Sequence, residues 1–181
     1  GSTANAATVV LATYMGGLAI GSWLGGILAK RIDPIKGYAY AELGIGLWCA
    51  LGPVLLSGVL WIYKELASGA DPTEGWLVAL QFGLGAAILV PPTLLMGLTA
   101  PFLTAFVHRS HKSLGRSAGL LYWANTIGAG LGALTTGYFL LPTVGVSTSL
   151  WIAVILNVGV AAIALRLGRR QPSSPSIPGE Q

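Results

Sequence analysis

Three stretches of this chain contain no Asp, Glu, Lys or Arg: residues 1–29, 75–107 and 117–165. A soluble domain keeps its surface wetted with charge, usually on about 25% of its residues. Here only 9% are charged, against 54% hydrophobic, and the mean hydropathy is +0.72. Each uncharged run exceeds the roughly 18 apolar residues that already indicate a membrane-spanning helix. The chain therefore reads as an all-α integral membrane protein with the lipid bilayer as its solvent. The amino-terminal run is too long for a secretory signal and lacks the basic start of one.

Charged clusters and turn residues divide the apolar sequence into about five spans, near 6–29, 37–63, 75–107, 117–141 and 146–165. The third is longer than a straight span of about 20 residues requires, and Pro91, Pro92 and Pro101 within it predict a kinked or broken helix. The run 117–165 would make a single helix of about 75 Å, more than twice the hydrocarbon thickness, so it is expected to fold back on itself. The natural turn is Pro142-Thr143-Val144-Gly145. Residues 1–168 then form the bundle, and the Pro- and Ser-rich segment 169–181 reads as a flexible cytoplasmic tail or linker.

The loops fix an orientation. Lys30, Arg31 and Lys36 outnumber Asp33 after the first span, Arg109, Lys112 and Arg116 follow the third, and Arg166, Arg169 and Arg170 follow the fifth. Between the second and third spans Lys64 is outnumbered by Glu65, Asp71 and Glu74, and the turn at 142–145 is uncharged. Basic and non-basic loops alternate, as the positive-inside rule requires. The amino terminus is expected outside and the carboxy terminus in the cytoplasm, and an odd number of spans from an outside start suggests a missing first helix. The net charge of +4 sits at the ends of spans and does not point to nucleic acid. Cys49 stands alone, which predicts neither a disulfide nor a thiolate metal cluster. His108 and His111 lack an acidic or Cys neighbour and read as part of a solvated basic loop. No catalytic motif, metal site or cofactor site is expected.

Several residues inside the spans call for a structural or a functional account. Gly17, Gly21 and Gly25 recur every fourth residue, as do Gly128 and Gly132, so each set lines one helix face where a neighbouring backbone can approach closely. The run GAGLGA at 128–133 matches a dinucleotide fingerprint in spelling, but no acidic residue lies between Glu74 and Glu180, and that fingerprint needs one about 20 positions on. Glu42 is the one carboxylate within an apolar segment. It is expected close to the cytoplasmic interface, in a structural pairing with Lys36, Arg31 or Arg116 or as a proton or amine site. Pro91 and Pro92 free the carbonyls of Ala87 and Ile88, and Pro101 frees that of Gly97. Thr93, Gln81 or a neighbouring helix can satisfy them, or they can line a cation site. The amides of Asn125 and Asn157 lie too far apart in depth to pair and are expected to bond to other helices.

The runs GGLAIGSWLGGILAKRID, YAYAELGIGL, PPTLLMGLTAPFL and GRSAGLLYWANTIGAGLGALTTGYFLLPTVG together resemble the membrane domain of bacterial spermidine synthase-like proteins. The resemblance covers nearly all of residues 1–165, and PTLLMG and the Tyr122…Asn125-Thr126…Gly128 run are its most specific parts. It implies half of a major-facilitator-like bundle, here lacking its first helix, that precedes a cytoplasmic aminopropyltransferase-like domain. It places Glu42, Pro92, Thr93, Gly97, Pro101, Gly115, Arg116, Tyr122, Asn125 and Pro142 in that bundle. The chain departs from the facilitator loop motif, with Lys30 where that motif carries Asp before its Arg. The function implied is a membrane anchor in the bacterial plasma (inner) membrane, handling a polyamine or related amine. Two rival readings are an accessory subunit of a larger membrane complex, bound to other membrane helices, and half of a transporter. A single shallow carboxylate favours anchoring or packing over transport.

Overall fold

The computed structural model describes residues 2–68, 75–110 and 114–170. The loop 69–74, Lys112 and the tail 171–181 lie outside the described residues, as do the side chains of Arg109 and Arg170. The described chain is helical: α1 (Ser2–Leu28), α2 (Pro34–Leu66), α3 (Gly75–Ser110), α4 (Leu114–Thr135), a π-helical segment (Thr136–Leu140) and α5 (Leu141–Arg170). Four helical stretches, Ala6–Leu28, Pro34–Leu66, Gly75–His108 and Ala118–Arg169, are long and apolar enough to cross a membrane. The last covers both spans expected at 117–141 and 146–165. Helical backbone joins them instead of a loop, interrupted at Gly145 (φ 76°, ψ 175°), the one positive φ among the described residues. Only glycine reaches that conformation without a clash at Cβ.

α2 begins where the sequence supplies both a cap and a preset backbone. Asp33 is extended, its Oδ1 accepts from the Ile35 N–H at 3.3 Å, and Pro34 follows at the first helical turn, where a missing N–H costs nothing. α3 is one continuous helix from Gly75 to Ser110, with Pro91, Pro92 and Pro101 inside it. It is not broken at the prolines, and donors on its neighbours serve two of the three carbonyls that the prolines free.

Two seams pair α3 with α1 and α2, and a third pairs α2 with α5. Gly17, Gly21 and Gly25 of α1 meet Thr93, Gly97 and Pro101 of α3 in turn, so these two helices run parallel. Gly37 lies under the ring of Phe102, Gly44 under Leu95, and Trp48 beside Ile88, so α2 runs antiparallel to α3. Ile35 meets Gly168 and Gly46 meets Asn157, so α5 is antiparallel to α2. The core of this last seam is Ile35, Ala39, Ala161 and Ala164, with Tyr38, Leu43, Phe106 and Leu165 packed around it. These directions gather Lys30, Arg31, Lys36, Arg166 and Arg169 at one end of the bundle. Tyr63, Lys64 and Gln81 lie at the other. α4 stands apart: it touches α3 and the π-helical segment that follows, and of its described side chains only Leu121 is half-buried.

Candidate functional site

The α1–α3 seam is built by the absence of side chains. A Cβ on Gly21 would lie 2.9 Å from the Cα of Gly97, and one on Gly97 would lie 2.8 Å from the Cα of Gly21. Real Cβ atoms do not approach so closely, so backbone packs on backbone here. In lipid no hydrophobic drive holds helices together, and such close dispersion contacts replace it. The approach also brings side-chain donors within reach of the neighbouring backbone.

That reach decides the fate of the proline-freed carbonyls. Pro92 leaves the Ile88 carbonyl without its intrahelical donor, and Trp48 Nε1 of α2 donates to it at 3.0 Å. Pro101 does the same to Gly97, whose carbonyl accepts from Ser22 Oγ of α1 at 3.1 Å. Thr93, 3% exposed, donates within its own helix to the carbonyls of Leu89 (2.8 Å) and Val90 (3.0 Å). Gln81 is engaged elsewhere, donating from Nε2 to the Tyr63 hydroxyl at 2.6 Å and tying α3 to α2 at the opposite end from the basic residues. Pro92 and Pro101 therefore mark attachment points for α2 and α1. Trp48 and Ser22 were not singled out from the sequence. The signal available was a Trp and a Ser among apolar residues on adjacent spans, without anything to tell which spans touch.

Glu42 lies eight residues beyond Pro34, about 12 Å along α2, and is half-buried. It shares the α5-facing stripe with Ala39 and Gly46, three residues before and four after it. Tyr38 lies one turn earlier on the same helix, and neither Arg31 nor Lys36 forms an ion pair with Glu42. Asn157, expected to bond to another helix, instead donates from Nδ2 to the Ala153 carbonyl of its own helix at 2.9 Å. Gly46 explains why: its missing Cβ lets α2 come so close that the Asn157 Cβ fills the space, at 3.3 Å from where a Gly46 side chain would begin. The amide then turns back to the nearest carbonyl, a common solution for a short polar side chain in a helix.

On α4 the expected packing residues face open space. A Cβ on Gly128 or Gly132 would meet nothing within 4 Å. Asn125 is exposed, with no hydrogen bond to another described residue, and Tyr122 is 75% exposed. Thr126 is satisfied locally, donating to the Tyr122 carbonyl at 2.8 Å. A cavity of about 210 Å³ opens between α1 and α3 at their amino-terminal halves. Val9, Val10, Phe82 and Leu89 line it, and Thr13 and Gln81 are its polar members. Among the described residues no three His, Cys, Asp or Glu side chains gather to hold a metal. Comparison with protein-family models, with curated proteins and with solved structures returns no match.

Proposed function

We propose that this chain is a membrane-anchoring module whose fourth helix docks against an apolar membrane-spanning helix of a partner. The observation that carries the reading is α4 itself. Its 22 residues are uncharged but for Arg116, yet they include Asn125, Gly128 and Gly132 on one face with nothing packed on it. Lipid tails offer an amide no partner, whereas a second helix offers carbonyls and hydroxyls, and the glycines allow it close. In α1, α2, α3 and α5, by contrast, Gly17, Gly21, Gly25, Gly37, Gly44 and Gly46 are spent on seams between those helices, which suits a scaffold.

On this reading α4 and α5 are separate spans, which makes five, and the end that carries Lys36 and Arg169 faces the cytoplasm. The resemblance supplies the partner on that side, an aminopropyltransferase-like domain held at the bacterial inner membrane, with an amine as the substance handled. Oxygen accessibility of spin labels, scanned along residues 121–132 in native membranes, tests the docking. Dips at Asn125, Gly128 and Gly132 are expected, with high values between them. Uniform accessibility along the scan would show α4 bathed in lipid and sink the reading.

A further inference from the structure

The junction between α4 and α5 combines three interruptions within ten residues. The hydrogen-bond ladder slips to π register over Thr136–Leu140, where the Leu141 N–H bonds to the Thr136 carbonyl. Pro142 then offers no N–H at all. Gly145 leaves the helical region altogether, at φ 76° and ψ 175°. Thr143 donates its hydroxyl to the Phe139 carbonyl, and Ser149 donates to the Gly145 carbonyl at 2.7 Å. Thr143 within the junction and Ser149 just beyond it thus serve carbonyls at the bend, and neither bond is made to α1, α2 or α3.

The two arms differ in what holds them. Beyond Gly145, α5 is seated on α2 through buried residues that start at Ser149 and continue through Val154, Ala161 and Ala164. Before it, every described side chain from Tyr122 to Thr135 is exposed. A rotation about residues 136–145 would therefore leave the α1–α3, α2–α3 and α2–α5 seams intact and break only the smaller contact of α4 with α3.

We propose that residues 136–145 are a swivel about which α4 moves as one body relative to α1, α2, α3 and α5, so that the docking helix is reoriented when its partner binds. The inference rests on the docking reading for its purpose alone, because the motion is measured without any partner. In a Cys49→Ala background, Leu60→Cys on α2 is paired with Leu131→Cys on α4, or with Leu156→Cys on α5 as the fixed reference; all three leucines are exposed. Distances between spin labels are recorded for the purified chain in lipid nanodiscs.

The α2–α4 distribution is expected to be about twofold or more broader than the α2–α5 one, as for a hinge between rigid bodies. Pro142→Ala restores a backbone N–H and should narrow it. Gly145→Ala places a Cβ where φ 76° forbids one and should shift its mean. Neither substitution touches a residue of the bundle core. A wild-type α2–α4 distribution as narrow as the reference, or one that neither variant alters, overturns the swivel. A broad distribution that responds to both variants supports it even where the oxygen scan in native membranes is uniform, and that combination would remove the docking reading alone.

Discussion

Trp48 and Ser22 act on the backbone of another helix, and their contribution depends on a proline they do not touch. The Ile88 carbonyl needs the indole N–H because Pro92 cannot supply one. Trp48→Phe keeps most of the ring packing and should lower stability by about 1–2 kcal/mol, the range for losing an interhelical hydrogen bond and stranding its acceptor. In a Pro92→Ala background the new N–H serves Ile88, so the same substitution should cost clearly less. Reversible unfolding in mixed micelles measures both, and equal costs in the two backgrounds would contradict the account. Glu42 behaves differently, because neither Arg31 nor Lys36 forms an ion pair with it. Glu42→Gln keeps the shape of the side chain and breaks no ion pair, so it should change stability by less than about 1 kcal/mol. A loss near 3 kcal/mol in the same assay would instead mark a broken ion pair. The sequence locates Glu42 and the three prolines without ambiguity. It does not reveal their partners, because a partner depends on which helices adjoin and at what depth, and neither is written in the local pattern.

At the scale of the helix, spacing gives a face and leaves open what meets it. Gly17, Gly21 and Gly25 share a face by their four-residue repeat, and in the fold that face lies on α3. Gly128 and Gly132 repeat identically, and nothing in the described chain meets them. The prolines of α3 predict a kink or a break; the helix runs through them without a break, and local sequence could not reveal the Trp48 and Ser22 donors that serve two of the freed carbonyls. The π register before Pro142 was equally hidden, since it depends on how the ladder shifts to accommodate the ring. The α1–α3 seam makes a sharp prediction. Gly21→Ala forces backbone apart from backbone and should cost about 1–3 kcal/mol, as overpacking does. Gly26→Ala, with nothing within 4 Å of its new methyl, should be neutral or gain up to about 1 kcal/mol. Equal effects in the same unfolding assay would mean that the seam is not held by close glycine contact.

For the molecule as a whole, charge and helix direction carry independent information that coincides. The alternation of basic and non-basic loops was legible from residues alone, and the contacts among α1, α2, α3 and α5 separately bring Lys36 and Arg169 to one end and Lys64 to the other. The course of the run 117–165 is less legible, because it holds no charge to mark a loop and its helical path is interrupted by a π turn, Pro142 and Gly145. The central claim is that this bundle crosses the bilayer with its basic end in the cytoplasm. Single cysteines at Lys36, Arg169 and Lys64, in a Cys49→Ala background, can be labelled with a membrane-impermeant maleimide in sealed inside-out vesicles. Positions 36 and 169 should label directly, and position 64 only after the vesicles are opened. Labelling of 36 and 169 from opposite sides, or of all three before opening, would contradict the account.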